Sequence, residues 1–202
     1  MNRLKVVTAP ELPPVPLADA KAHLRVDSDD EDDLITSLVG AATDHAESFM
    51  GRAVVARTLD YFLDAFPDDD GPIRPPMPPL IEVDGVFYTD SDGDEQEFTN
   101  FEIDTASEPG RIYLVPSVSW PSGVRDSANA VRVRYSAGHV LTEGSPPSLA
   151  SEVPPDIRAA ILLMVGTLYE QRESIAVGVS VAMLPWGAEQ LLRRKRVEIS
   201  AA

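Results

Sequence analysis

Apolar positions recur every three or four residues in three stretches of this chain, near 17–24, 35–49 and 154–173. Between 54 and 136 the spacing shortens to two in several brief runs rich in Val, Ile, Tyr and Phe. The first rhythm is that of a helix with one apolar face, and the second that of a strand. Pro16 stands where a helix can begin, because its missing N–H costs nothing in a first turn. Leu17, Ala20 and Leu24 then share a face, and Val26-Asp27-Ser28 ends the helix. In the second helix Ile35, Leu38, Val39, Ala42, Ala46 and Phe49 form the apolar stripe, and Thr36, Thr43, Asp44 and Glu47 fall on other faces. Ser28 or Asp29 is the expected N-cap, and the following carboxylates complement the positive helix end. Gly51 is the expected stop, with Arg52 at the negative end.

The third helix begins at Pro154-Pro155-Asp156 and carries Ile157, Ala160, Ile161, Met164, Val165, Leu168 and Tyr169 at helical spacing. Leu162 and Leu163 widen its apolar arc, which predicts burial on more than one side. Arg172 and Glu173 close it, and Pro185 opens a last short helix with Trp186, Leu191 and Leu192.

The predicted strands are 54–66, 80–89, 95–104, 111–115 and 130–136, separated by turn signals such as Asp92-Gly93, Pro109-Gly110 and Pro121-Ser122-Gly123. Asp-Gly between two such runs is a hairpin signal. Pro72 to Pro79 reads as a rigid spacer and residues 1–16 as an extended proline-rich lead. Residues 139–153 read as a loop, and 174–183, apolar with Gly178, have no assignable period. The expected fold is therefore α+β and mainly helical. It is a helix bundle with an inserted small antiparallel β region and a C-terminal helix or tail. One domain, 1–202, is expected, with N-terminal helices at 15–52, the β insertion at 54–138, the long helix at 154–173 and a terminal segment at 184–196.

Composition narrows the function. The 202 residues carry a formal net charge of -16 and no cysteine. Disulfides, thiolate zinc sites and cysteine nucleophiles are excluded, which fits a reducing cytosol. An acidic surface repels phosphate backbones, so sequence-specific nucleic-acid binding is not expected. No apolar run reaches a membrane span and the N-terminus lacks an apolar signal core, so neither membrane nor secretion is expected.

Candidate chemistry is sparse. The acidic run from Asp27 to Asp33 lacks the alternating ligands and central glycine of a calcium loop. Asp90, Asp92 and Asp94 flank a turn glycine, and turn chemistry accounts for them. His23, His45 and His139 lie far apart in sequence and form no metal motif. No nucleophile elbow or phosphate-binding loop occurs. No catalytic residue, metal ligand or cofactor is assigned. Arg193, Arg194, Lys195 and Arg196 form a basic cluster in an acidic chain, next to the apolar Trp186, Leu191 and Leu192. Helix-end complementarity and docking onto an acidic partner both account for it.

Several local patterns together resemble the head–tail connector (adaptor) proteins of long-tailed phages. Leu17…Lys21-x-His23-Leu24-Arg25 is similar to that family's opening helix, and Asp32-x-Leu34-Ile35, Ala41-Ala42, Glu47 and Gly51-Arg52 to its second. Pro78-Pro79-Leu80…Tyr88…Asp92-Gly93 resembles its central hairpin, and Trp120-Pro121 with Val133-x-Tyr135-x-Ala137-Gly138 its last strand and turn. Val153-Pro154…Ile157…Ala160-Ile161…Tyr169…Arg172-Glu173 is similar to its long third helix. Leu184-Pro185-Trp186-Gly187 and the basic tail resemble the end of adaptors from gene transfer agents.

The resemblance implies a structural virion protein at the neck, assembled in the host cytoplasm. It would form a ring of roughly twelve copies beneath the portal protein. That ring would extend the DNA channel and dock a tail-side stopper or tail terminator. DNA would pass through without sequence-specific binding. Trp186, Leu191, Leu192 and residues 193–196 would enter the portal. Two other readings stay open: a tail-completion or stopper protein, and a metal- or carboxylate-dependent hydrolase built on Asp90, Asp92 and Asp94.

Overall fold

The computed structural model describes residues 3–139, 153–171 and 186–197. The expected loop at 140–152, the aperiodic segment 174–183 and the closing residues Arg172 and Glu173 lie outside them. The chain divides into two compact units: residues 1–10 with 56–138, and 11–55 with 139–202.

The first unit is built on a five-stranded antiparallel sheet ordered β1-β2-β7-β3-β4. Its strands are β1 (Leu4–Thr8), β2 (Arg57–Leu63), β3 (Leu80–Thr89), β4 (Glu95–Phe98) and β7 (Val131–Ala137). A separate two-stranded ladder joins β5 (Phe101–Asp104) to β6 (Arg111–Leu114). The alternation of β7 sorts its faces. Val131, Val133, Tyr135 and Ala137 are buried, while Arg132, Arg134 and Ser136 lie on the other side. On the buried side the Tyr135 hydroxyl donates to the Pro76 carbonyl at 2.6 Å, so even this enclosed phenol is satisfied. Phe66, Trp120, Phe98 and Tyr88 cluster nearby, with the Phe66 and Trp120 rings stacked at 4.8 Å.

This architecture corrects the expected fold class. The chain is not mainly helical: among the described residues seven strands stand beside four α-helices. The β region is no small insertion, since it recruits the N-terminal residues as edge strand β1, paired antiparallel with β2. Residues 4–8 carry too short an alternation to announce a strand, and only the partner β2 makes them one.

The second unit holds α1 (Leu17–Leu24), α2 (Asp32–Met50), α3 (Pro155–Glu170) and α4 (Trp186–Arg193). Its core joins Val15, Ala20, Ile35, Val39, Ala42, Ala46, Met50, Ile157, Ala160, Ile161, Val165, Ala188 and Leu192. The stripes of α1 and α2 follow the periodicity, and Gly51 ends α2 in the left-handed region at φ 67°. On α3, however, Leu163 and Leu168 are exposed, so the expected burial on more than one side is not met within the subunit.

Three local expectations change. The residue before α2 is Glu31, and no side chain caps it. Ser28 instead accepts from the Asp30 N–H at 3.2 Å and donates to the Asp30 carboxylate at 2.5 Å. Lys21 of α1 reaches Asp29 at 2.6 Å and Asp32 at 2.7 Å, so the acidic run ties α1 to the start of α2. Thr43 and Glu47, placed on outer faces by the pattern, are buried. The Thr43 hydroxyl donates to the Val39 carbonyl at 2.7 Å, and Glu47 Oε1 accepts the Val54 N–H at 2.8 Å. Buried polar groups with partners break a hydrophobic pattern without breaking the core.

Candidate functional site

The terminal basic segment is the first candidate. Helix α4 packs against α3 and α2. Ala188 and Leu192 are fully buried, and Leu191 packs on the same core. The chain after α4 is also held. Val197 N–H donates to the Met50 carbonyl at 2.8 Å, and the Arg52 guanidinium donates to the Lys195 carbonyl. Lys195 pairs with Asp156 at 3.5 Å, Arg193 with Glu189 at 2.9 Å, and the Arg196 guanidinium lies 5.8 Å from the Phe49 ring centre.

The predicted residues 191–196 are therefore together, but they divide into two groups. Leu191 and Leu192 anchor the helix inward, whereas Arg193, Arg194 and Arg196 are exposed. Trp186 begins α4.

The aspartates of the β3–β4 turn form the second candidate. One Asp90 carboxylate oxygen accepts from the N–H groups of Asp92, Gly93 and Asp94, each at 3.0 Å. The other accepts from the Gln96 amide at 2.9 Å. The Gln96 amide and these backbone donors hold Asp90 below its ordinary carboxylate value. Its lone pairs serve the turn, which leaves little capacity for a metal or a proton relay. Among the described residues no cluster of three His, Asp or Glu side chains could hold a metal ion.

The histidines stay apart. His23 lies on α1 beside Gly166, His45 is exposed on α2, and His139 forms a bridge with Val55. No helix among the described residues is long and apolar enough to cross a membrane.

The sequence reading passed over a charged layer on the outer sheet face. Arg134 donates from Nε and Nη2 to the two Asp60 oxygens, at 2.8 and 2.9 Å. Asp60 is only 5% exposed, and the Arg134 hydrogen bonds hold it below the ordinary carboxylate range. Arg132, next on β7, pairs with Glu95 at 2.7 Å and lies 4.3 Å from the Phe87 ring centre. The signal was an Arg-x-Arg alternation within a strand, but the partner lies 74 residues away.

Comparison with known proteins follows the same lines. Residues 15–89 match the model of the phage gp6-like head-tail connector protein family. The resemblance to head–tail connectors is thus borne out over α1, α2, β2 and β3. Three solved structures share the fold across 98% of this chain and 98% of each of theirs. One is the virion of a native gene transfer agent particle, at 23% identity and a TM-score of 0.73. The second is the neck of an empty particle computed with C6 symmetry, at 24% and 0.72. The third is the neck of a native particle computed with C12 symmetry, at 22% and 0.71. At these identities the likeness is one of fold. The search of curated proteins gave no match.

Proposed function

We propose that the chain is a structural virion protein of the head–tail connector class, acting in the neck as one subunit of a ring of twelve. The observation that carries this reading is the connector-family match over residues 15–89. A shared fold with a neck computed in C12 symmetry supports the stoichiometry. On this reading both units belong to one connector subunit, the ring extends the DNA channel below the portal protein, and a tail-side stopper or terminator docks on it. The protein performs no catalysis. The net charge of -16 suits a channel that DNA slides through without being held.

Portal docking is assigned to the exposed Arg193, Arg194 and Arg196 with the α4 segment from Trp186, while Leu191 and Leu192 hold that segment to the helical core. Deleting the tail would strip Leu192 from the core, so the better test keeps the helix. In an Arg193→Glu, Arg194→Glu, Arg196→Glu variant the expected result is loss of portal capture with helical circular dichroism unchanged. Capture at the wild-type level would remove the docking assignment. For the reading as a whole, gold-labelled antibody on assembled particles should mark the neck. Label on the capsid faces, or none on complete particles, would end it.

A further inference from the structure

We propose that neighbouring copies join through their sheets, the β1 edge of one subunit pairing with the β4 edge of the next. The inference rests on the ring reading above and names the surface that closes the ring. Among the described residues both edges are open: β1 is bonded only to β2 and β4 only to β3. Open edges present unpaired N–H and C=O groups and invite another strand.

The two edges are chemically opposite. On β1, Val6 is 50% exposed and Val7 43% exposed, beside the exposed Lys5. Strand β4 reads Glu95-Gln96-Glu97 and is exposed along those residues. Among the described residues Glu97 has no close ion pair, and Lys5 has none within 4 Å, although it stands across from Asp60 on β2 and its positive charge favours that carboxylate. Two bare valines on an edge are a hazard that soluble proteins normally cover. Lys5 and the irregularity between Val6 and Thr8 restrict which strand can approach. An acidic strand meets that restriction, whereas a second β1 would bring a second lysine to the same short edge. Two β4 edges would set carboxylates against carboxylates.

Topology supplies the direction. The sheet has five strands and every pairing is antiparallel, so β1 and β4 run the same way. Copies related by rotation about an axis along the strands would therefore meet β4 to β1 in parallel. Such a contact is head-to-tail, the kind that closes into a ring, and unlike a two-fold contact it leaves no edge exposed once closed.

The chain has no cysteine, which makes the test direct. The double variant Val7→Cys, Glu97→Cys, treated with a short bismaleimide in assembled rings, should give a ladder of covalent oligomers on a denaturing gel. Each single variant should stay monomeric. Glu97→Lys should lower ring yield at least tenfold, and adding Lys5→Glu should restore it. Glu97 is exposed, so the circular dichroism of Glu97→Lys should stay unchanged. Rings visible by electron microscopy without a ladder, or with yields indifferent to charge, would overturn this pairing and leave the ring reading standing. Dimers from Val7→Cys alone would replace it with two-fold pairing. Absence of rings both in solution and at particle necks would remove both.

Discussion

In the helical unit each helix satisfies most of its own backbone, and the main contacts that remain are apolar stripes meeting in one core. In the β unit no strand is satisfied alone. Strand β7 is bonded on both sides by strands from distant parts of the chain, and its outer face carries the buried-pair chemistry of Asp60 and Arg134. The helical unit is therefore written in local periodicity, and its weak points are cavities. The β unit is written in register, and its weak points are partners removed from across the sheet. The same contrast extends to assembly. Most of the helical stripe is consumed within the unit, whereas a sheet always ends in two edges.

Core truncation in the helices should have the largest effect. Ile161→Ala empties a fully buried site and should cost about 4 kcal/mol, read as a lower urea midpoint of the helical signal at 222 nm. A loss under about 1 kcal/mol would mean the helical core is not continuous there. Next comes the sheet. Asp60→Ala strands the Arg134 guanidinium and should cost about 3 kcal/mol. In a Trp186→Phe background Trp120 fluorescence follows the β unit, so the loss should appear in that signal first. Equal loss in both signals would show that the two units unfold as one.

Third is Glu47, the polar group inside the helical unit. Glu47→Ala removes the acceptor of the Val54 N–H and should cost about 2 kcal/mol, while Glu47→Gln, which keeps a carbonyl acceptor, should cost less. Equal losses would show that its charge, not the acceptor, matters.

A smaller effect should appear on acidification. Asp60 has a folded pKa lowered by Arg134, so its contribution is complete above the unfolded value near ~3.9 and is lost as pH falls through the folded value. Stability of the wild type should therefore fall more steeply below about pH 4 than that of Asp60→Asn. Parallel acid profiles would deny the pairing. The smallest effect belongs to Asp90→Ala, which frees the β3–β4 turn donors. Faster amide exchange at Asp92, Gly93 and Asp94 with little change in global stability is expected.

The helices were legible because their evidence is local. Ile35, Val39, Ala42 and Ala46 lie one turn apart, and Gly51 marks the end by its own conformational freedom. Most strands were placed too, β7 by its clear alternation, although the expected strand 95–104 is two strands, β4 and β5, in different sheets. What escaped notice was whatever needed a distant partner. Strand β1 has no signature without β2, and Thr43 and Glu47 look like surface residues until the Val39 carbonyl and Val54 N–H are seen. The basic tail was found, yet its division into inward leucines and outward arginines was not.

By itself, the order of residues determined where the helices lie and where α2 stops, that β7 alternates, where the chain turns and how acidic the chain is. Those properties arise from neighbours within a turn or a pleat. The balance of sheet against helix, the pairing of Asp60 with Arg134 and the exposure of two oppositely charged edges were decided only by the tertiary structure. Each is a relation between residues that the chain brings together only after folding, and pairing energy across a sheet depends on register, which no local window contains.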